Sequence, residues 1–265
     1  MRSMASSPSS KGIAAIVGVG PKLGLSIARK FAREGYTLAI LSSDLGRLSR
    51  FADEIARDEK ARVFAIRIDC SDTKSIREAF EGVLSLGFVE VLVYNAYHPM
   101  SWPPTNFADM RVQHFEKSIA VSSVGAFHCA QQVLPGMVDR GRGTILFTGC
   151  FASLNGIAGY SELCCGKFAL RALSQCLARE FQPQGVHVAH VIIDGYIGVP
   201  RNVINFTTKI KGGWGTTRAA AAAADWYRRR GRDYGPRRAG SNLLAIAHSR
   251  PIRLDPRDRP PSLKL

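Results

Sequence analysis

A chain of 265 residues, 46% hydrophobic and 22% charged, is long enough for one well-filled α/β domain and a tail. It has no unbroken apolar run of about 18 residues, which excludes an ordinary membrane-spanning helix, and none of its six cysteines forms a C-x-x-C pair, which argues against a zinc site. The formal net charge of +15 suggests a nucleic-acid partner until it is divided: residues 1–200 hold 21 Lys/Arg against 17 Asp/Glu, residues 201–265 hold 15 against 4, so the excess belongs to the last quarter.

Residues 1–10 are Ser-rich and lack the apolar stretch of a signal peptide, so they read as a disordered leader, with an organelle transit peptide left open. A strand is predicted at 13–17, then a helix from Leu23 to Arg33 closed by Gly35. A strand at 36–41 and a helix at 45–57 follow, the latter with apolar residues at 45, 48, 51, 52 and 55. A third strand at 63–68 leads to a helix capped by Asp72 and running to about Leu86. A strand at 89–93, a long helical region at roughly 107–139, a strand at 144–147, a helix at 160–181 and a strand at 186–193 complete the alternation. Strands that alternate with helices and are apolar throughout predict a three-layer α/β Rossmann fold: a doubly wound parallel sheet of six to seven strands with helices on both faces. The domain is expected at 11–200. Residues 201–265, with an alanine run at 219–224 and many Gly, Pro and Arg, read as a basic tail of low order.

Gly18-Val19-Gly20-Pro21-Lys22-Leu23-Gly24 joins the first strand to the first helix. Glycine there permits a tight turn and close backbone approach to a pyrophosphate, and the helix N-terminus offers free N–H groups to it. A tight turn with no ligand is the competing reading. An acidic residue at the end of the second strand would hold the ribose of NAD. None precedes Asp44, while Lys22 and Arg47 supply positive charge, so NADP is preferred over NAD; Lys22 is equally readable as a solvated loop charge.

The spacing of Gly18 and Gly24 resembles the T-G-x-x-x-G-x-G turn of short-chain dehydrogenases/reductases, with Lys22 in place of the middle glycine. Asp69-Cys70 resembles the family's adenine-contacting Asp-Val pair, and Tyr94-Asn95-Ala96-Tyr97 its Asn-Asn-Ala-Gly, with Asn95 and Ala96 kept. Gly166-Lys167-Phe168-Ala169-Leu170 is similar to its central helix, and Asp194-Gly195-Tyr196-Ile197 stands where it has a Pro-Gly loop. The resemblance runs in order over about 11–200. It implies a cofactor site of Gly18, Gly20, Lys22, Leu23, Gly24, Ser43, Asp69, Cys70, Asn95, Ala96, Lys167, Asp194, Gly195 and Ile197. Relatives often carry Arg at the position of Ser43.

In the family a Tyr transfers the substrate proton, a Lys four residues later lowers its pKa and binds the ribose, a Ser holds the substrate oxygen and an Asn supports a water relay. Lys167 fits the Lys. The other positions hold Leu163, Cys150 and Ser122. Tyr160 is the expected stand-in for the phenol, with a pocket-wall aromatic as the plainer reading; seven residues separate it from Lys167, about 10 Å along an ideal helix. His98 and His114 show no partner pattern and read as surface or pocket-rim residues. Val188-Ala189-His190-Val191-Ile192-Ile193-Asp194-Gly195 resembles a stretch of a divergent branch that also lacks the Tyr. Residues 243–261 do not match that branch's ending. Back-translated and read in a shifted frame they can yield it, so the chain from somewhere in 201–218 onward reads as frame-shifted.

The expected function is an NADP(H)-dependent oxidoreductase acting on a small carbonyl or alcohol. The alternatives are a nucleotide-binding pseudoenzyme that senses or scaffolds without turnover, and a protein acting through its basic tail. No metal, nucleic-acid or membrane partner is expected. The resemblance implies pairing through the helix of Lys167 into a homodimer or homotetramer, and the cysteine usage fits a cytoplasmic protein.

Overall fold

The computed structural model describes residues 11–100 and 104–193, and two short strands at 196–197 and 233–234. The leader, Asp194, Gly195, the side chain of Ile197 and most of the basic tail therefore lie outside the described residues, as does the expectation of a shifted reading frame.

Five apolar residues without a break form β1 (Ile13–Val17), buried along its whole length. In α1 (Leu23–Arg33) the inward residues Gly24, Ile27, Ala28, Phe31 and Ala32 repeat at helical spacing. β2 (Thr37–Ser42) leads into α2 (Leu45–Glu59), whose first turn is capped by Asp44 accepting from the backbone N–H of Arg47 at 3.0 Å. After β3 (Val63–Arg67), Asp72 caps α3 (Thr73–Ser85) by accepting from Lys74 N at 3.0 Å. β4 (Val89–Tyr94) follows.

The region expected as one long helix is divided. A 3-10 turn at Phe107–Asp109 precedes α4 (Val112–Ile119), a π-helical turn occupies Ala120–Val124, and α5 (Gly125–Asp139) continues beyond it. Then come β5 (Gly143–Cys150), α6 (Ser161–Phe181) and β6 (Val186–Ile193). β5 runs three residues past the apolar stretch that announced it. Gly149 permits the extension: a Cβ there would lie 2.1 Å from His190 Nε2 on the neighbouring strand. Beyond the sheet, β7 (Tyr196–Ile197) pairs in parallel with β8 (Asp233–Tyr234).

The main sheet is parallel, in the order β3-β2-β1-β4-β5-β6. This is the doubly wound arrangement, with six strands among the described residues. Alternation along each strand divides the core into two layers. Ala14, Ile16, Leu38, Ile40, Val91 and Val93 pack with α1 and α2, while Ala15, Val17, Ala39, Leu41, Leu92 and Phe147 pack with α3, α5 and α6. Arg29 joins α1 to α2 through Glu54, Asp58 and Glu59. The order of strands reverses between β1 and β4, so a crevice opens at their carboxyl ends, where ligands bind in such sheets.

Candidate functional site

At the crevice, the glycine turn is fixed from both sides. Gly18 has φ +87°, and a Cβ would sit 2.4 Å from the backbone N of Ala96. Only glycine suits that conformation and that approach. Asn95 locks the same contact: its backbone N–H donates to Val17 O and its side-chain amide to Gly18 O, both at 2.8 Å. Gly24 sits where a Cβ would be 2.7 Å from Val19 Cα. Gly20 differs, since a Cβ there would meet nothing within 4 Å. Its openness leaves room over the start of α1, whose N-cap Lys22 makes no side-chain capping bond and whose first turn holds no acidic residue. These features fit a pyrophosphate held by backbone N–H groups and the helix dipole.

Ser43 is exposed beyond β2, and the nearby carboxylate, Asp44, is committed to capping α2 and lies 3.6 Å from Arg47 Nε. Asp69 accepts from both the backbone N–H (2.9 Å) and the hydroxyl (2.6 Å) of Ser71, and these bonds lower its pKa. The Cys70 side chain turns into the core, where burial raises its pKa to about 11; that position can meet a nucleotide only through its backbone.

Tyr94, at the position of the first family Asn, is wholly buried, and its hydroxyl donates to Val121 O in the π-helical turn. Burial puts that phenol well above its ordinary pKa, and its hydrogen bond ties strand to helix. The π turn presents Ser122 toward α6, where a Cβ added to Gly166 would lie 3.0 Å from Ser122 Cβ. Such turns frequently mark functional positions.

Lys167 is only 5% exposed. Its ammonium donates to Thr148 O at 2.8 Å, and burial lowers its pKa. The carbonyl belongs to the carboxyl end of β5, so Lys167 reaches the same edge of the sheet as the glycine turn. Tyr160 falls just outside α6 as its N-cap, with φ −132° and ψ 35°. The ideal helical rise therefore does not fix its distance from Lys167. The ring is 8% exposed and packs in a small cluster with Ala152 and Cys164, against which Cys150, Ile157 and Leu163 lie. Cys150 borders that cluster, on the same strand end whose Thr148 carbonyl holds the Lys167 ammonium.

Glu162 is not singled out in the sequence, and His98 reads there only as a surface or rim residue. Glu162, beside the family's Tyr position, is 3% exposed, and neither carboxylate oxygen has a hydrogen-bond partner among the described residues. The positions Glu162, Gly166 and Leu170 share the buried face of α6 at four-residue spacing, a periodicity already present in the sequence. His98 stands three residues after Asn95 and stacks edge-on against His114, with ring centroids 6.2 Å apart. Its pKa is lowered by burial, then by His114 and Lys117, and is partly restored by Glu162.

The sequence pattern of the short chain dehydrogenase family matches residues 12–202. The chain is 28% identical over 181 residues to 3-dehydrosphinganine reductase of Danio rerio, covering 65% of this chain and 53% of the relative. It thus spans about half the length of that relative. Among solved structures it resembles L-sorbose reductase from Gluconobacter frateurii, complexed with NADPH and L-sorbose, with a TM-score of 0.78, 22% identity and 90% of each chain covered. A short-chain type dehydrogenase/reductase from Mycobacterium marinum aligns with a TM-score of 0.73 and 25% identity, covering 90% of this chain and 88% of the other. With the strand order, the glycine turn locked by Asn95 and the buried lysine at the end of β5, these matches place the chain in the short-chain dehydrogenase family.

Proposed function

We propose that this chain is an NADP(H)-dependent oxidoreductase that interconverts a small carbonyl compound and its alcohol. The observation that carries the reading is the closed contact between Gly18 and Asn95, which leaves open space over Gly20 at an uncapped helix N-terminus. Gly18, Gly20, Leu23 and Gly24 would receive the pyrophosphate on backbone groups. Asp69, the Cys70 backbone, Asn95 and Ala96 would border the adenosine and the nicotinamide, and Asp194, Gly195 and Ile197 are proposed to cover the latter. Lys22, with Arg47 and Ser43, would meet a 2′-phosphate, since Asp44 is occupied by α2.

When bound, the nicotinamide supplies or accepts a hydride at the substrate carbon. The chain's own groups do the rest. Lys167 brings a buried positive charge to the carboxyl end of β5, where it stabilises negative charge on oxygen. Cys150 and Ser122 offer small donors, and Tyr160 walls the site. A homodimer or homotetramer is part of the proposal.

The test is a panel of carbonyl compounds offered with NADPH while the absorbance of the reduced nicotinamide is followed. Turnover with at least one carbonyl is expected. Saturable binding of NADPH with no turnover on any of them would instead favour a nucleotide-binding pseudoenzyme.

A further inference from the structure

β6 is the outermost strand of the main sheet, and α6 covers one of its faces. Val188 packs into the core layer on that side, so His190 and Ile192, two and four residues on, share its face. Between these residues and Arg171, Ser174 and Gln175 of α6 lies a cavity of about 280 Å³, which Leu154 from the turn after β5 also lines. That volume is at the small end of the range for ligand pockets. The cavity is separate from the cofactor crevice, which opens between β1 and β4, because β5 stands between β4 and β6.

Charge and pairing indicate what would fill it. Val188, Ile192 and Leu154 supply an apolar wall. The polar wall carries positive charge and no negative charge, since Arg171 lines it and no acidic residue does among the described residues. Arg171 is half-buried, and its guanidinium has no ion pair and no hydrogen bond among the described residues. Only its backbone carbonyl is engaged, accepting from Ser174 Oγ at 2.7 Å. His190 is the second unpaired group. Both of its ring nitrogens are buried, and neither has a hydrogen-bond partner among the described residues. Burial, with the charges of Lys167 and Arg171, lowers its pKa to about 4, so the ring is neutral and one nitrogen carries an N–H that nothing receives. A buried donor without an acceptor is costly and calls for an explanation. The second torsion of a histidine side chain has a broad range, so a small turn of the ring can aim that N–H into the cavity it lines.

We propose that this cavity binds a short aliphatic carboxylic acid as its anion, with the carboxylate on Arg171 and His190 and the hydrocarbon on Val188, Ile192 and Leu154. A guanidinium donates two parallel hydrogen bonds to a carboxylate, and the apolar wall takes the methylene groups out of water. A bare phosphate would leave that wall uncovered. The site goes beyond the oxidoreductase reading and does not depend on it. Arg171 follows Lys167 by four residues on α6, about 6 Å of helical rise. The bound acid therefore adds a negative charge one helical turn from the buried ammonium.

The test is calorimetric titration of the full chain at neutral pH with sodium hexanoate, sodium butyrate, 1-hexanol and inorganic phosphate. Hexanoate is expected to saturate with a Kd of about 1 mM or tighter. Butyrate should bind several-fold more weakly, and hexanol and phosphate should not compete. In Arg171→Gln the affinity for hexanoate should fall about tenfold or more, with thermal unfolding close to wild type because the guanidinium is unpaired. The imidazole NMR signal of His190, assigned with His190→Gln, should shift when hexanoate is added to the wild type. Absence of saturable hexanoate binding overturns the proposal, as does affinity that Arg171→Gln leaves unchanged or that hexanol or phosphate equals. A His190 signal that hexanoate does not move also overturns it, and displacement of hexanoate by NADPH would put the acid in the crevice instead. Failure to bind NADPH at all would defeat the cofactor reading alone, because the hexanoate titration needs no nucleotide.

Discussion

The two halves of the sheet treat their polar groups differently. In the half built from β1 to β4, the carboxylates around the crevice are occupied: Asp44 and Asp72 cap helices and Asp69 holds Ser71. In the half built from the π turn to β6, Ser122, Thr148, Glu162 and His190 all bury polar side-chain atoms that find no partner among the described residues. On the first side the only comparable atom is Arg47 Nε, again among the described residues, and it lies near Asp44. A half whose polar groups are satisfied is a finished frame for a ligand that meets mainly backbone. A half with unpaired groups retains the chemistry that a reacting substrate needs, at a cost in stability.

The largest expected effect breaks the first half. Gly18→Ala forces a Cβ against Ala96 at a positive φ. It should cost more than about 2 kcal/mol and abolish NADPH binding, measured by thermal unfolding with and without the nucleotide. Lys167→Met addresses the second half and should separate function from stability. It removes a buried ammonium with a single carbonyl partner among the described residues, so unfolding should show a gain of roughly 1 kcal/mol, while NADPH affinity falls by about tenfold or more.

His190 supplies a pH-dependent test. Burial, together with the charges of Lys167 and Arg171, lowers its pKa to about 4. Between that value and the ordinary imidazole range the unfolded chain holds a proton that the folded chain refuses. Stability is therefore complete above about 6.5 and declines as pH falls toward 4. Allowing for partial exposure, the decline attributable to this group is about 1–2 kcal/mol, and His190→Gln should remove it in denaturant titrations across that range. The smallest effect belongs to the α1–α2 surface. Arg29→Ala should cost about 1 kcal/mol, less at high salt, because the carboxylates of Glu54, Asp58 and Glu59 are partly exposed.

The frame is legible in the sequence because strands buried on both faces are apolar without a break. The bounds expected for β6 are those observed, and the cap expected at Asp72 rests on local chemistry. The Gly18–Gly24 turn is readable for the same reason: a positive φ and a close approach admit one residue type. The π turn is not legible, since no residue type marks the single residue it inserts into an otherwise helical run. The end of β5 escapes a sequence reading because Thr148, Gly149 and Cys150 are not an apolar run; a glycine packed under His190 decides it. His98 shows no partner in the sequence because His114 comes to it from another element, and spacing along the chain does not encode such a contact.

The central claim is that the first half is a completed cofactor frame, biased toward the phosphorylated dinucleotide. Titrating the purified chain with NADPH and with NADH, while following nicotinamide fluorescence, tests it most directly. Saturable binding of NADPH, with NADH at least several-fold weaker, is the predicted result. Absence of saturable binding by both nucleotides would contradict the frame, and NADH binding more tightly than NADPH would contradict its bias.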